Sequence, residues 1–209
     1  MTSASDRAAD QLMGRWDEHF PGRQSLGREL LRRYSGVTRV YHDLRHLTDC
    51  LDNLDLLGPE ASDPRLTELA AWFHDAVYDV RRDDNEERSA QLCEAALPAY
   101  DVHPTDVSEV ARLVRLTRTH DPAAQDANGA VLCDADLAVL ASDHQRYEDY
   151  TARVRSEYRH IGDPVFRRGR AEVLEQLLAL PTLFHTKHGR EHWEAPARAN
   201  LLRELAALG

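Results

Sequence analysis

Residues 42–57 read HDLRHLTDCLDNLDLL. Leu44, Leu47, Leu51 and Leu54 recur there at steps of three and four, the spacing that lines one face of an α-helix. Gly58-Pro59 stops that helix. The same period returns along most of the chain. Residues 6–19 place Leu12, Trp16 and His19 on one stripe, and residues 25–34 do so with Leu26, Leu30, Leu31 and Tyr34. Residues 64–77 repeat it with Leu66, Leu69, Ala70, Phe73 and Val77. A helix over 84–97 ends before Pro98, and one over 105–119 begins at Pro104-Thr105 with Val107, Val110, Val114 and Leu116 on its apolar face. Residues 131–141 read as a short apolar helix, 143–160 and 164–179 as longer polar ones, and 190–208 as the last. Alternating runs of strand type are absent, and DPAAQDANGA (121–130) is the clearest loop. The expectation is one all-α domain over residues 1–209.

Bulk properties narrow the function. A chain of 209 residues with 42% apolar and 30% charged side chains can bury a real core and has a soluble profile. A formal charge of −10, from 26 Lys and Arg against 36 Asp and Glu, argues against a nucleic-acid polymer or an anionic membrane as the main partner. A small anionic substrate stays open, because a metal or a few arginines can invert the field inside one cleft. Cys50, Cys93 and Cys133 are far apart, form no CxxC pair and sit among apolar residues, which predicts buried free thiols in a reducing compartment. The opening MTSASDRAADQL lacks an apolar signal core, and no apolar stretch is long enough to span a membrane. A cytosolic, cytoplasmic location follows as the expectation.

Against this apolar pattern, three places are wrong for a plain core. AWFHDAVYD (71–79) sets His74 and Asp75 beside the Ala70, Phe73 and Val77 stripe. YHDLRHL (41–47) sets His42 and His46 one helical turn apart, with His46 against Leu47 and Cys50. LCDADLAVL (132–140) sets Asp136 one turn from both Leu132 and Leu140, on the inward stripe, with Asp134 off it. A buried imidazole or carboxylate needs a partner, and a cation is the economical one for all three. Segments of a helical bundle can converge on such a point. Two His and two Asp form a mixed nitrogen and oxygen set that suits Mn²⁺, Fe²⁺, Co²⁺, Ni²⁺ or Zn²⁺. Four protein ligands on a six-coordinate ion leave two positions for a water and a substrate oxygen, as metal-assisted hydrolysis requires.

The ordered set His46 … His74-Asp75 … Asp136 resembles the HD-domain metal-dependent phosphohydrolases, whose signature is H…HD…D on an all-α core. YHDLRHL resembles that family's first-histidine helix, and DADL its last-aspartate motif. FHDAVYD, DNEERSA, DADLAVL and VRSEY are closer still to a bacterial HD-type predicted-hydrolase subgroup. The likeness covers roughly residues 34–205, with a motif core at about 34–140 and the helices of 143–208 packed on it.

The resemblance implies one divalent transition metal held by His46, His74, Asp75 and Asp136. His42 for His46, and Asp134 for Asp136, stand as alternatives; the stripe favours Asp136. It also implies hydrolysis of a small phosphate ester or anhydride by metal-activated water. A nucleotide is the most natural small substrate, although nothing in the sequence reads a base. Asp75 would ligate and border the attacking water, and His42 or His120 would stabilise phosphoryl charge. Glu86, just after Asn85 at a helix start, reads equally as a general acid or base and as ordinary N-terminal acidity. His120 at the end of LTRTH reads also as a dipole partner. Arg39, Arg45, Arg155 and Arg170 are candidates to neutralise a phosphate. No Gly-rich phosphate loop and no GxSxG occur. The alternative reading is a non-catalytic, metal-retaining sensor or ligand-binding protein.

Overall fold

The computed structural model describes residues 4–209 and folds them into ten α-helices, with no strand among the described residues. The helices are α1 (Ala4–His19), α2 (Gln24–Tyr34), α3 (Leu44–Leu57), α4 (Pro64–Phe73), α5 (Asn85–Ala96), α6 (Pro104–Leu116), α7 (Ala127–Leu137), α8 (His144–Glu157), α9 (Asp163–Ala179) and α10 (Glu194–Leu208). Residues 1–3 of the opening segment lie outside the described residues. Among those described, no helix is long and apolar enough to cross a membrane.

Local chemistry sets many of the starts. The Asp43 carboxylate accepts the N–H groups of Arg45 and His46 at 3.0 and 3.3 Å, and so caps α3. Asp63, Asp126 and Asp143 cap α4, α7 and α8 in the same way, through the N–H groups of Leu66, Gly129 and Arg146. The leucine stripe behaves as its spacing requires: Leu44, Leu47, Leu51 and Leu54 are all buried.

Two apolar clusters form. The first gathers α1 to α7 around Trp16, Phe20, Trp72 and Phe73. Trp16 and Trp72 meet edge to face at 5.0 Å. The close approach of α1 and α2 requires Gly27, because a Cβ there would stand 2.6 Å from the Trp16 ring. The second cluster gathers α8 to α10 around Tyr41, Leu140 and Phe184, and Trp193 packs against both clusters. Cys50, Cys93 and Cys133 are free and buried.

Three elements depart from the periodic reading, and each departure moves a site residue. The helix expected over 64–77 ends at Phe73, so His74 and Asp75 lie in the turn that follows. Tertiary partners take the groups that would continue the helix. The Arg39 guanidinium binds the carbonyls of Asp75 and Ala76 at 2.7 and 3.1 Å, and the Ser89 hydroxyl pairs with the N–H and carbonyl of Val77. The helix expected from residue 42 starts at Leu44, so His42 precedes the cap and does not share a helical face with His46. The segment expected as a loop to residue 130 turns helical at Ala127; α7 then ends at Leu137 and a 3₁₀ turn covers Ala138–Ala141.

Candidate metal centre

His46 on α3, His74 in the turn after α4 and Asp136 on α7 each present a ligand atom, and these atoms lie within 4.8 Å of one another. His46 Nε2 stands 3.0 Å from His74 Nε2 and 3.2 Å from Asp136 Oδ1. Asp75 Oδ2 lies 3.4 Å from His46 Nε2 and 3.3 Å from His74 Nε2. Three donor atoms therefore converge, and Asp75 adjoins the two histidines without joining that group.

The protons can be placed from chemistry. His74 Nδ1 lies 2.7 Å from the Ala71 carbonyl, which only accepts, so Nδ1 carries a proton. In the neutral ring Nε2 is then a lone pair aimed at His46 and the two carboxylates. Such a backbone bond is the usual device for orienting a ligating imidazole. Around an ion with bonds of about 2.1 Å, neighbouring donors stand about 3.0 Å apart in an octahedron and about 3.4 Å apart in a tetrahedron. The spacings within the group, 3.0, 3.2 and 3.6 Å, lie at or just beyond that range.

The charges at this point hold one another in place. Burial opposes ionisation of Asp75 and Asp136, yet the histidines around them hold both carboxyls well below the usual carboxylate range. Burial likewise opposes a charge on His46, but its hydrogen bonds to Asp136 and Asp75 outweigh that and push it up to about 9. A metal-ion donor set and a proton-sharing cluster have the same signature here: two carboxylates that keep their charge only against a cation.

His120 completes Asp136 from the other side, its Nε2 donating to Oδ2 at 2.8 Å. It lies past the end of α6 with φ of +50°, where a helix terminus usually carries glycine. His185 Nε2 donates to its carbonyl at 3.2 Å. A non-glycine residue held left-handed at a cluster of ionisable groups is strain of the kind stored at functional sites.

His42 is held by a residue that sequence reasoning did not single out. Glu157, at the end of α8, is buried and accepts the N–H groups of Val40, Tyr41 and His42 at 2.8, 3.1 and 3.2 Å on one oxygen. Its other oxygen takes His42 Nδ1 at 2.6 Å. Burial would raise this carboxyl, but the His42 hydrogen bond and charge and the backbone donors bring it down to about 2. The carboxylate only accepts, so His42 Nδ1 bears the proton and Nε2 is left free. Tyr78 stacks on the His42 ring at 4.0 Å. Glu157 falls inside the VRSEY segment, but only the long-range fold reveals its partners.

Two cavities border the cluster. One, of about 420 Å³, is lined by His46 and Asp136 together with Asp49, Asp52, Asp143 and Arg146, and Arg146 is paired with Asp49. That acidic cleft repels an anion. The other, of about 680 Å³, is lined by His42, Asp75, His120 and Asp136, and also by Glu86 and Arg118. Glu86 thus sits on the cavity wall and outside the group of converging donors. Arg118, which sequence reasoning also passed over, is engaged by no carboxylate among the described residues.

The arginines proposed from sequence are committed elsewhere. Arg39 clamps backbone carbonyls. Arg45 pairs with Asp149 at the surface, Arg155 with Asp163 and the carbonyls of Tyr158 and Ile161, and Arg170 with Glu204 and the Tyr150 hydroxyl. Only Arg170 of the four lines the larger cavity.

Asp134 was expected off the inward stripe, and it is fully buried. It faces away from the histidines and is satisfied by the chain at 185–186. It accepts the N–H of His185 at 2.8 Å, and the N–H and hydroxyl of Thr186 at 2.8 and 2.7 Å. The helix phase inferred from leucines alone missed a second packed face on α7, the one turned toward this segment. No family model, curated protein or solved structure matches the chain.

Proposed function

We propose that this chain is a metal-dependent hydrolase of small phosphate esters or anhydrides, an HD-type domain of the kind its ordered H…HD…D set resembles. The observation that supports the reading best is the convergence of His46 Nε2, His74 Nε2 and Asp136 Oδ1, with Asp75 Oδ2 beside both histidines and the His74 proton committed to Ala71. When bound, a divalent transition ion supplies Lewis acidity toward a phosphoryl oxygen and lowers the pKa of water.

The chain's own residues supply the remainder. Asp75 borders both the donor cluster and the larger cavity, so its second oxygen can hold the attacking water or take its proton. His42, its Nδ1–H held by Glu157, presents Nε2 as the atom that takes up a proton and, as imidazolium, donates it to a phosphoryl or leaving-group oxygen. His120 orients Asp136 and adds a second imidazole at the wall. Arg118 offers the unpaired guanidinium that a phosphate dianion needs.

Metal analysis of protein purified without chelator, followed by a panel of phosphoesters and nucleotides with added Mn²⁺, tests this. The expected result is about one transition ion per chain, from one donor cluster, with turnover that chelator abolishes and Asp75→Asn loses. Stoichiometric metal with no turnover on any ester or anhydride would leave a metal-retaining binding protein. A folded chain that takes up no transition metal would defeat both.

A further inference from the structure

The larger cavity is not polar throughout. The wall supplied by α9 and the turn before it is apolar, made by Tyr158, Ile161, Val165, Phe166 and Val173. Among the described residues, five large apolar side chains stand exposed, and two of them, Val165 at 53% and Val173 at 45%, are on this one wall. Residues 165, 169 and 173 follow one another at four-residue steps and share a face of α9. The helix packs through another face: Leu174 is its buried residue, set against the second apolar cluster.

Gly169 lies at the middle of the exposed stripe and also lines the cavity. A Cβ built there meets nothing within 4 Å. No neighbouring element therefore requires a glycine, and glycine inside a helix is destabilising relative to alanine. What its missing side chain leaves is room between Val165 and Val173. The apolar stripe is also part of one concavity with His42, Asp75, His120 and Asp136, and a concave, partly apolar pocket with a few convergent polar groups is the form of a small-molecule site.

We infer that the substrate of this site carries an apolar body of aromatic-ring size or larger, seated on α9 over Gly169, with its phosphate at the His/Asp cluster. This rests on the hydrolase reading above for the placement of the phosphate. A cavity of about 680 Å³ is in the range that takes such a ligand. A simple sugar phosphate or acetyl phosphate would leave the α9 wall wet. Arg118 and the imidazoles of His42 and His120 serve the anionic end; the valines, Ile161 and Phe166 serve the other.

The test uses non-hydrolysable probes on the full chain loaded with Mn²⁺. Calorimetry compares naphthylmethylphosphonate with methylphosphonate, and 2-naphthylmethanol serves as the probe without the anion. The naphthyl phosphonate should bind about tenfold more tightly or better, from apolar area removed from water. Gly169→Phe should erase that preference with far less effect on methylphosphonate, and Gly169→Ala, melting at or above wild type, should keep most of it. Equal affinities, or a preference that survives Gly169→Phe, overturn the proposal. So does a wild-type dimer in sedimentation that Val173→Asp splits with no naphthyl preference, which would assign the face to a second copy of the chain. The two readings fail separately. A naphthyl preference with no ester hydrolysed leaves the apolar seat standing without the chemistry. Hydrolysis indifferent to the ester's body leaves the chemistry without the seat.

Discussion

Asp134, fully buried, and Asp136, mostly buried at the edge of two cavities, are two residues apart on α7 and belong to opposite regimes. Around Asp134 the chain itself supplies the donors: two backbone N–H groups and a hydroxyl from 185–186. Gly189 comes so close that a Cβ would stand 2.4 Å from the carboxylate. Burial still pushes the Asp134 carboxyl up, because its partners are neutral. Around Asp136 the neighbours are His46, His74 and His120, and despite burial the carboxyl is held well below the ordinary range. The lesson is that burial alone does not mark a functional carboxylate. What marks it is whether the protein closes its hydrogen-bonding capacity with its own neutral groups or leaves it facing other charged and ligating atoms.

The largest expected effect breaks the comparison if it fails. Asp136→Ala should lower transition-metal affinity about a thousandfold, while Asp134→Ala should retain a stoichiometric ion, because only the former removes a facing donor. Competition against a chelator of known affinity measures both. Equal losses would mean that Asp134 reaches the centre.

Stability should rank the two the other way. With metal removed, Asp134→Ala should cost about 4 kcal/mol, because buried N–H groups at 185–186 lose their acceptor. Asp136→Ala should cost less, since the histidines that hold its charge can release their protons, whereas the N–H groups at 185–186 cannot. Urea denaturation of the chelated proteins decides it, and a more stable Asp134 variant would overturn the assignment.

Glu157 sharpens the comparison, being closed by backbone donors like Asp134 yet coupled to a cavity residue like Asp136. Its carboxyl is held at about 2 against an ordinary 4.5, so its contribution is present above about 4.5 and drains as pH falls toward 2. Wild type should lose about 3 kcal/mol more than Glu157→Gln between pH 5 and pH 2. Denaturation at pH 5 and at pH 2 reads this, and parallel acid limbs would refute it. On the proposed hydrolase reading, the same variant at neutral pH should lower kcat on a phosphate ester more than it raises KM, since His42 loses its carboxylate partner.

The smallest effect is spatial. Removing metal from wild type should lower Tm by several degrees, from about 2.7 kcal/mol of binding linkage at 100 times the dissociation constant. The accompanying rise in amide exchange should fall on 44–46, 74–76 and 120, and spare 185–186. Uniform loosening would mean that the two carboxylates share one cooperative unit.

Much of this molecule was legible in one dimension. Helical period depends on residues three and four apart, so the leucine stripe of α3 and the all-α class could be read directly. The anomaly of His46, His74, Asp75 and Asp136 against apolar stripes was legible for the same reason, as was the ordered set they form. The capping aspartates at 43, 63, 126 and 143 act on N–H groups two or three residues on, although sequence reasoning did not single them out. The tertiary structure decided what depends on partners far along the chain. Where α4 stops was settled by Arg39 and Ser89, which outcompete the helix for the groups at 75–77. That Asp134 is a closed structural carboxylate was settled by residues about fifty positions away, at 185–186. That His42 has a fixed proton was settled by Glu157, and that Arg39, Arg45, Arg155 and Arg170 are engaged elsewhere by their own distant acceptors. A side chain's type limits the bonds it can make; which of them it makes is fixed only when the fold brings one donor and one acceptor within about 3 Å.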